Sequence, residues 1–329
     1  MCTQTVSHHC HDFMLLVVQD QAGASSERRA AMRGNTSLTV PRSPRSIVEL
    51  LGTELSLPEA RSMIERARRI SRLPPGTRRE VWNVGGVRCE WLLPEQADSS
   101  WVLVYLHGGG FVLGRTALHV GLAATLGHLC AARVLLIDYR LAPEHPYPAA
   151  LEDVTLVYRA LLAAGWAPHR IAIAGDSAGG NLTLATLLSL RDAGHPLPAA
   201  AACLSPVVDL ADSEERSRRG RDRWLRPEVV TLFNEAYLNG QDPRHPLISP
   251  VYGDLRGLPP LVIHAGGEEL LREDAERLAT AAWAAGVQVE LAIYPGMWHV
   301  WQLSLELPEA QESLRRIARF LRQHVWAEV

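Results

Sequence analysis

Short apolar runs alternate with longer amphipathic stretches along most of the chain. The runs predict buried strands and the longer stretches predict helices. We expect strands at 101–106, 134–137, 171–174, 200–204, 261–265 and 287–294, and helices at 118–132, 149–163, 182–190, 273–285 and 308–326. Strands that alternate with helices form a parallel sheet covered on both faces. The pattern therefore predicts the α/β class, with a mostly parallel central sheet between two helical layers.

Different patterns precede this region. Residues 79–93 alternate around Gly85-Gly86, which predicts a two-stranded hairpin closed by a glycine turn. Before it, apolar residues recur at helical spacing in two short segments, which predicts two amphipathic helices. The apolar positions are Ile47, Leu50 and Leu51 in the first, and Ala60, Met63, Ile64 and Ala67 in the second.

The chain divides into an arm and one large domain. Residues 1–44 show no sustained period and are expected to be a flexible N-terminal arm, whereas 45–329 form the α/β domain. Val207 to Gly257 interrupts the alternation with about fifty residues, a length that is usually functional or disordered. The arginine-rich segment 216–223 within it has acidic residues interleaved, which favours a solvated surface over a nucleic-acid site.

Charge and cysteine content exclude several function classes. The formal net charge of -3 provides no field for nucleic acid or an anionic membrane. Residues 13–18 are too short to span a membrane and follow no basic residue, so we expect neither an anchor nor a signal peptide. Five cysteines without C-x-x-C spacing predict reduced thiols in a cytoplasmic protein. We expect no metal, and the cluster His8-His9-Cys10-His11 lies in the flexible arm, where no fixed ligand geometry is expected.

The segment Gly175-Asp-Ser-Ala-Gly179 joins a predicted strand to a predicted helix. A serine at the centre of G-x-S-x-G in this setting occupies a tight turn that exposes its hydroxyl. The same turn places the backbone N–H of Ala178 at a helix start, where it can stabilise an oxyanion. Ser177 is therefore the candidate nucleophile, although G-x-S-x-G alone also suits an ordinary glycine-rich turn.

Three further parts are needed for acyl transfer by serine: a base, an orienting carboxylate and more oxyanion donors. His107-Gly-Gly-Gly110 directly follows a predicted strand, and its glycines leave backbone N–H groups accessible. His299 follows the last predicted strand, at the sheet edge where active sites of such folds assemble. Glu268 and Glu269 follow the preceding strand, so the order serine, acid, histidine is that of an α/β-hydrolase.

Together with 138–148 (Asp-Tyr-Arg-Leu-Ala-Pro-Glu-His-Pro-Tyr-Pro) and 294–299 (Tyr-Pro-Gly-Met-Trp-His), these motifs resemble the hormone-sensitive-lipase-like (family IV) microbial esterases over roughly residues 45–325. The resemblance implies an oxyanion hole formed by Gly109, Gly110 and Ala178, and a structural role for 138–148 beside the site. It also implies a helical cap formed by about 45–75 and 207–250. The activity implied is hydrolysis of short to medium acyl esters without a cofactor.

The acid is where the sequence departs from the family. The family pattern is Gly, one residue, then Asp-Pro-Leu, whereas this chain has Gly266-Gly267-Glu268-Glu269-Leu270. Alignment from Gly266 assigns Glu268 as the acid and leaves Glu269 pointing elsewhere. The predicted triad is therefore Ser177, Glu268 and His299.

Other residues are weaker candidates. Gly108, Asp176, Trp224 and Trp298 are taken as substrate-binding candidates, although Asp176 also suits loop stabilisation and Trp298 also suits core packing. His107 is expected to brace its loop. Some of the apolar insertion residues are expected to face Ser177 and limit acyl length; they are Trp224, Leu225, Phe233 and Tyr237.

Several functions remain open at this point. The same triad could serve an N-deacetylase, an amidase or a lactone hydrolase. The family resemblance also includes non-catalytic plant hormone receptors that have lost the triad histidine, whereas His299 is present here. An interfacial lipase needs a large apolar lid, whereas this insertion is dominated by charge. The expected partner is a small-molecule ester, and a homodimer is left open.

Overall fold

One eight-stranded sheet organises the part of the chain that this computed structural model describes, residues 56–69, 73–211, 222 and 225–325. The strands are β1 (Thr77–Val84), β2 (Val87–Pro94), β3 (Asp98–Leu106), β4 (Ala132–Asp138), β5 (Ile171–Asp176), β6 (Ala200–Leu204), β7 (Leu261–Gly266) and β8 (Val289–Tyr294). Their order is β1-β2-β4-β3-β5-β6-β7-β8. The pairs β1·β2 and β2·β4 are antiparallel and all others are parallel, which confirms the predicted α/β class.

Seven helices accompany the sheet within the described residues. They are α1 (Leu57–Arg69), α2 (Ala117–Cys130), α3 (Ala149–Ala163), α4 (Ala178–Asp192), α5 (Pro227–Leu238), α6 (Arg272–Ala284) and α7 (Pro308–Val325). Strands β5, β6 and β7 are buried at every position, because helices cover both faces of the sheet. Apart from Asp176 at the end of β5 and His264 in β7, their residues are apolar on both faces, as the continuous apolar runs predict.

The parallel register brings the candidate site residues to one edge. β5, β6, β7 and β8 run side by side in the same direction, so the segments that follow them leave the sheet together. Ser177 follows β5, the Glu268-Glu269 pair follows β7, and His299 follows β8. Residues that are 122 positions apart in sequence, such as Ser177 and His299, can therefore meet.

The predicted elements are found with small shifts at their ends. The Gly85-Gly86 hairpin and the helix over 149–163 are present as expected. β3 begins at Asp98, three residues before the apolar run, because an irregularity between Asp98 and Val102 lets a polar segment pair with β4. The arm 1–44, the helix predicted near Ile47, most of 216–223 and Trp224 lie outside the described residues.

Two helices from outside the alternating core dock beside the His107–Gly110 loop. Arg61 of α1 donates to the carbonyl of Val112 at 2.9 Å and forms an ion pair with Glu144 at 2.7 Å. Tyr237 of α5 is fully buried and its ring stacks on Phe111, with 3.8 Å between ring centroids. The segments that the resemblance implies as a cap thus contact the chain immediately after the candidate oxyanion loop.

None of the described helices combines the length and the apolar composition that a membrane span requires.

We expect the ring of Tyr237 to carry much of the attachment of α5. Replacing Tyr237 with alanine should lower the free energy of unfolding by about 3 to 4 kcal/mol, because it leaves a cavity against Phe111. Tyr237→Phe is the matched control: the buried hydroxyl has no hydrogen-bond partner among the described residues, so its removal should be neutral or stabilising. Urea denaturation measures both, and equal losses in the two variants would contradict the stacking explanation.

Candidate active site

Ser177 lies on a strained turn between β5 and α4. Its backbone has φ 52° and ψ -116°, a conformation that L-residues rarely adopt and that persists only where the surroundings impose it. The turn is held at both backbone groups of the serine. Ser177 N donates to Leu204 O at 2.8 Å, and Ser177 O accepts from Asn181 N at 3.1 Å. The predicted elbow is therefore present, with the side chain at the carboxyl edge of the sheet.

The two flanking glycines are required by close backbone approach. A Cβ on Gly175 would overlap the carbonyl of Gly179, and a Cβ on Gly179 would overlap the backbone of Leu106 at the end of β3. The helix thus begins directly against the strand that leads into the His107–Gly110 loop. Only glycine permits this contact, which places nucleophile and loop side by side.

His299 contacts Ser177 through one ring nitrogen and a glutamate through the other. Nε2 of His299 lies 3.0 Å from Oγ of Ser177, and Nδ1 lies 3.4 Å from Oε2 of Glu269. The second distance exceeds that of an ordinary hydrogen bond, as is common for catalytic groups without a bound substrate. With Nε2 accepting from the serine hydroxyl, the ring proton resides on Nδ1 and faces the carboxylate.

The structure places Glu269, and not Glu268, beside His299. The side chain of Glu269 is fully buried, whereas that of Glu268 is exposed. Glu268 N donates to Met297 O at 3.0 Å, so this residue bonds to the histidine loop through its backbone and turns its side chain to solvent. The next residue faces the opposite side and reaches His299. The alignment from Gly266 that assigned Glu268 is therefore wrong by one residue.

The loops that carry Glu269 and His299 are bonded to each other. Gly267 N donates to Tyr294 O at 2.8 Å, and a Cβ on Gly266 would overlap the backbone of Met297.

Sequence reasoning missed Ser205, a fully buried residue with φ 47° that follows β6. Its Oγ accepts from Val300 N at 3.1 Å and so holds the residue after His299. A lone serine after a strand carries no motif by which sequence could have found it.

Burial and the neighbouring carboxylate shift the pKa of His299 in opposite directions. Burial by itself lowers the pKa of His299, but the Glu269 carboxylate more than offsets this, so the pKa lies above the ordinary value of histidine. Burial raises the pKa of Glu269, and His299 opposes that rise. The pair therefore stabilises a proton on His299, which is the state that forms when a serine hydroxyl is deprotonated.

The His107–Gly110 loop presents backbone donors near the serine. Gly109 and Gly110 have φ of 111° and 61°, which turns the chain back on itself. The N–H groups of Gly109, Gly110 and Ala178 donate to no other backbone group of the described chain. Tyr139, in the segment 138–148, donates to the carbonyl of His107 at 2.6 Å and stacks on its ring. His107 thus braces its loop, as expected, and burial lowers its pKa to about 4.

Two substrate-binding candidates lie behind the site instead. Asp176 is buried and accepts from the Tyr105 hydroxyl at 2.7 Å and from Nε2 of His119 at 3.2 Å. Burial opposes its ionisation, but these partners hold the pKa of Asp176 below its usual value. A Cβ on Gly108 would overlap this carboxylate, so Gly108 faces Asp176. Gly108 and Asp176 therefore pack against each other on the buried side of the His107–Gly110 loop. This corrects the expectation that they contact substrate.

The remaining candidates have different surroundings. Trp298 is half-buried and packs against the cluster formed by Ala292, Tyr294, Trp301 and Ala310. Phe233 of α5 lies directly over Gly110, where a Cβ on the glycine would overlap its ring. Tyr237 is fully buried in the core, where its ring stacks on Phe111. Trp224 lies outside the described residues, and in the described ranges no three His, Cys, Asp or Glu side chains cluster as a metal would require.

A family model described as the alpha/beta hydrolase fold matches residues 103–303. The chain belongs to the α/β-hydrolase family.

Relatives within this family are esterases. An acetyl-hydrolase of Streptomyces hygroscopicus is 46% identical over 253 residues, 76% of this chain and 83% of the relative. An esterase of Acinetobacter venetianus is 37% identical over 72% of this chain and 79% of the relative. A crystal structure of a bacterial hormone-sensitive lipase family esterase has a TM-score of 0.78 at 41% identity, covering 85% of this chain and 95% of that one. The predicted resemblance and the expectation of an ester-hydrolysing enzyme are confirmed.

The two adjacent glutamates of this α/β-hydrolase provide a matched test. Glu269→Gln should lower kcat by about 10³ to 10⁴-fold, as removal of an orienting carboxylate does. It should also move the acid limb of the kcat/KM profile to lower pH, because the charge that raises the pKa of His299 is lost. Glu268→Gln removes the same charge from an exposed side chain and should change kcat by no more than a few-fold, about the effect of a surface substitution. The larger loss in Glu268→Gln would return the assignment to that residue.

Proposed function

We propose that this α/β-hydrolase is a carboxylesterase that cleaves short to medium acyl esters through an acyl-enzyme intermediate on Ser177. The contact between Nε2 of His299 and Oγ of Ser177, at 3.0 Å, is the observation that carries the proposal. In the first step His299 takes the hydroxyl proton while Ser177 Oγ bonds to the ester carbonyl carbon. The carbonyl oxygen becomes an oxyanion, for which Gly109, Gly110 and Ala178 supply N–H donors.

The remaining steps release the alcohol and hydrolyse the acyl-enzyme. His299, now protonated and stabilised by Glu269, gives its proton to the alkoxide oxygen as the C–O bond breaks, and the alcohol leaves. Water then attacks the acyl carbon while His299 again accepts a proton. As the bond between the acyl carbon and Ser177 Oγ breaks, His299 gives this proton to Oγ, which regenerates the serine and releases the carboxylic acid.

The cap helix α5 supports a preference for small acyl groups. The Phe233 ring lies against Gly110, one of the proposed oxyanion donors, and is itself only 6% exposed. An acyl chain held at this position must extend past the ring. The Streptomyces relative is named an acetyl-hydrolase, which is consistent with a small acyl group. We therefore place acetyl and short acyl esters ahead of lactones and amides as substrates.

Thiol chemistry supports a cytoplasmic location as part of the proposal. Cys89, Cys130 and Cys203 are buried free thiols, and burial raises the pKa of Cys203 to about 12, so it remains unreactive. Free thiols are usual in reducing compartments. The proposed partner is a small-molecule ester.

Removing the nucleophile tests the reaction itself. Ser177→Ala should lower kcat on p-nitrophenyl acetate by about 10⁶-fold, as loss of a triad serine does. Circular dichroism and the unfolding midpoint should stay near those of the unmodified protein, because the serine is only partly buried and its hydroxyl contributes little to packing. Turnover within a few-fold of the unmodified protein, in a variant shown to be folded, would exclude the serine mechanism.

Chain-length selection tests the role of Phe233. Phe233→Ala should raise kcat/KM for p-nitrophenyl octanoate relative to acetate by about tenfold, since space opens over Gly110. Leu232→Ala is the control, because its side chain is on the same helix but 50% exposed. An identical chain-length profile in both variants would show that α5 does not limit the acyl group.

A further inference from the structure

Asp222 lies in the insertion between β6 and β7, within the charged stretch that sequence analysis treats as solvated surface. Its side chain is half-buried, and both carboxylate oxygens accept backbone hydrogen bonds. Oδ1 accepts from Leu225 N at 3.1 Å, within the same insertion. Oδ2 accepts from Leu270 N at 3.0 Å, in the peptide that directly follows Glu269. One carboxylate therefore links the insertion to the acid loop.

We propose that Asp222 is a positioning residue that holds Glu269 against His299 from the insertion side. This inference rests on the proposed serine mechanism and extends it, because the proposed triad lies entirely on the core loops. It makes the geometry of the triad depend on attachment of the insertion.

The position of Leu270 N explains why this hydrogen bond controls Glu269. Gly267 N and Glu268 N both donate to the histidine loop, which holds the first half of the acid loop. The Glu269–Leu270 peptide comes after those bonds. Its carbonyl accepts a long hydrogen bond from Arg272 N at 3.4 Å, and its N–H donates to Asp222 at 3.0 Å. Rotation of that peptide would swing the Glu269 side chain away from His299, so the bond to Asp222 restrains the carboxylate at its far side.

The charge of Asp222 also supports its role in positioning the pair of His299 and Glu269. The negative charge of Asp222 contributes to raising the pKa of His299, after the larger influence of Glu269 and together with Asp176. It also adds to the rise in the pKa of Glu269 that burial causes, while His299 and Ser205 act in the opposite direction. Within the described residues, the Ser177 hydroxyl also faces His299, at 3.0 Å from Nε2. Asp222 thus favours the protonated histidine that forms during the reaction.

The competing explanation is that Asp222 only anchors the insertion to the acid loop and has no influence on catalysis. The two explanations differ in what a neutral, similarly shaped side chain does. In Asp222→Asn the amide oxygen can still accept one N–H, but the amide nitrogen cannot accept the other, and the charge is gone. A mere anchor predicts lower thermal stability with unchanged chemistry, whereas a positioning role predicts a lower kcat and a shifted pH profile.

The experiment compares Asp222→Asn with the intact protein. We expect kcat on p-nitrophenyl acetate to fall about tenfold, equivalent to about 1.4 kcal/mol, with KM little changed. The acid limb of kcat/KM should move to lower pH, because a charge that raises the pKa of His299 is removed. Asp222→Glu, which retains the charge at a different reach, should keep the acid limb near its original pH while kcat stays reduced. Unchanged kcat and acid limb in folded Asp222→Asn would overturn the proposal.

Labelling by a sulfonyl fluoride separates this inference from the proposed function. The rate at which the sulfonyl fluoride reacts with Ser177 is followed by intact-protein mass at several pH values. This reaction does not require an ester substrate to fit beneath the cap. If the unmodified protein is not labelled, the serine mechanism itself is contradicted. If Asp222→Asn is labelled with the same rate and pH dependence as the unmodified protein, only the role of Asp222 is contradicted. Glu235→Gln, which removes an exposed charge from α5, is the control and should label at the original rate. Should Asp222→Asn not fold, Asp222→Glu decides, because a kcat on p-nitrophenyl acetate equal to that of the unmodified protein would contradict the positioning role.

Discussion

The close approach of α4 to the end of β3 is the constraint on which the site depends. Gly175 and Gly179 have no space for a Cβ, and Ser177 between them is held in a backbone conformation that is unfavourable for an L-residue. The buried sheet stabilises this conformation through the bond from Ser177 N to Leu204 O. Because the helix begins against β3, the loop that follows β3 must pass beside the serine. A single packing contact thus brings the nucleophile and the backbone donors together.

A second constraint acts at the other side of the site, where hydrogen bonds join the loop that carries Glu269 to the loop that carries His299. The acid loop donates from Gly267 and Glu268 to the histidine loop, and Ser205 holds the residue after His299. Few degrees of freedom remain for His299 and Glu269 once these bonds form. Such preorganisation reduces the reorganisation needed during the reaction.

Two buried carboxylates have different hydrogen-bond partners: Asp176, which precedes Ser177 in the chain, and Glu269, which contacts His299. Asp176 has two hydrogen-bond donors, and its pKa is held below the usual value despite burial. Glu269 has His299 at 3.4 Å, and burial raises its pKa. Each carboxylate has a histidine beside it, but the two histidines differ in their second contact. Nδ1 of His119 is bonded to Thr116, whereas Nε2 of His299 lies 3.0 Å from the Ser177 hydroxyl. The second contact of the histidine therefore separates the structural role of Asp176 from the proposed catalytic role of Glu269.

The sequence by itself determined the sheet, the elbow and the histidine, because each depends on local pattern. Apolar runs identify buried strands, the glycines around Ser177 identify a turn that no other residue fits, and His299 follows a strand end. Only the tertiary structure decided between Glu268 and Glu269. Adjacent residues face opposite sides of a loop, and which side meets His299 depends on hydrogen bonds to a loop about thirty residues away in sequence. The same holds for Asp176 and Asp222, whose surroundings come from β3, α2 and the acid loop, so their orientation could not be read from their neighbours in the chain.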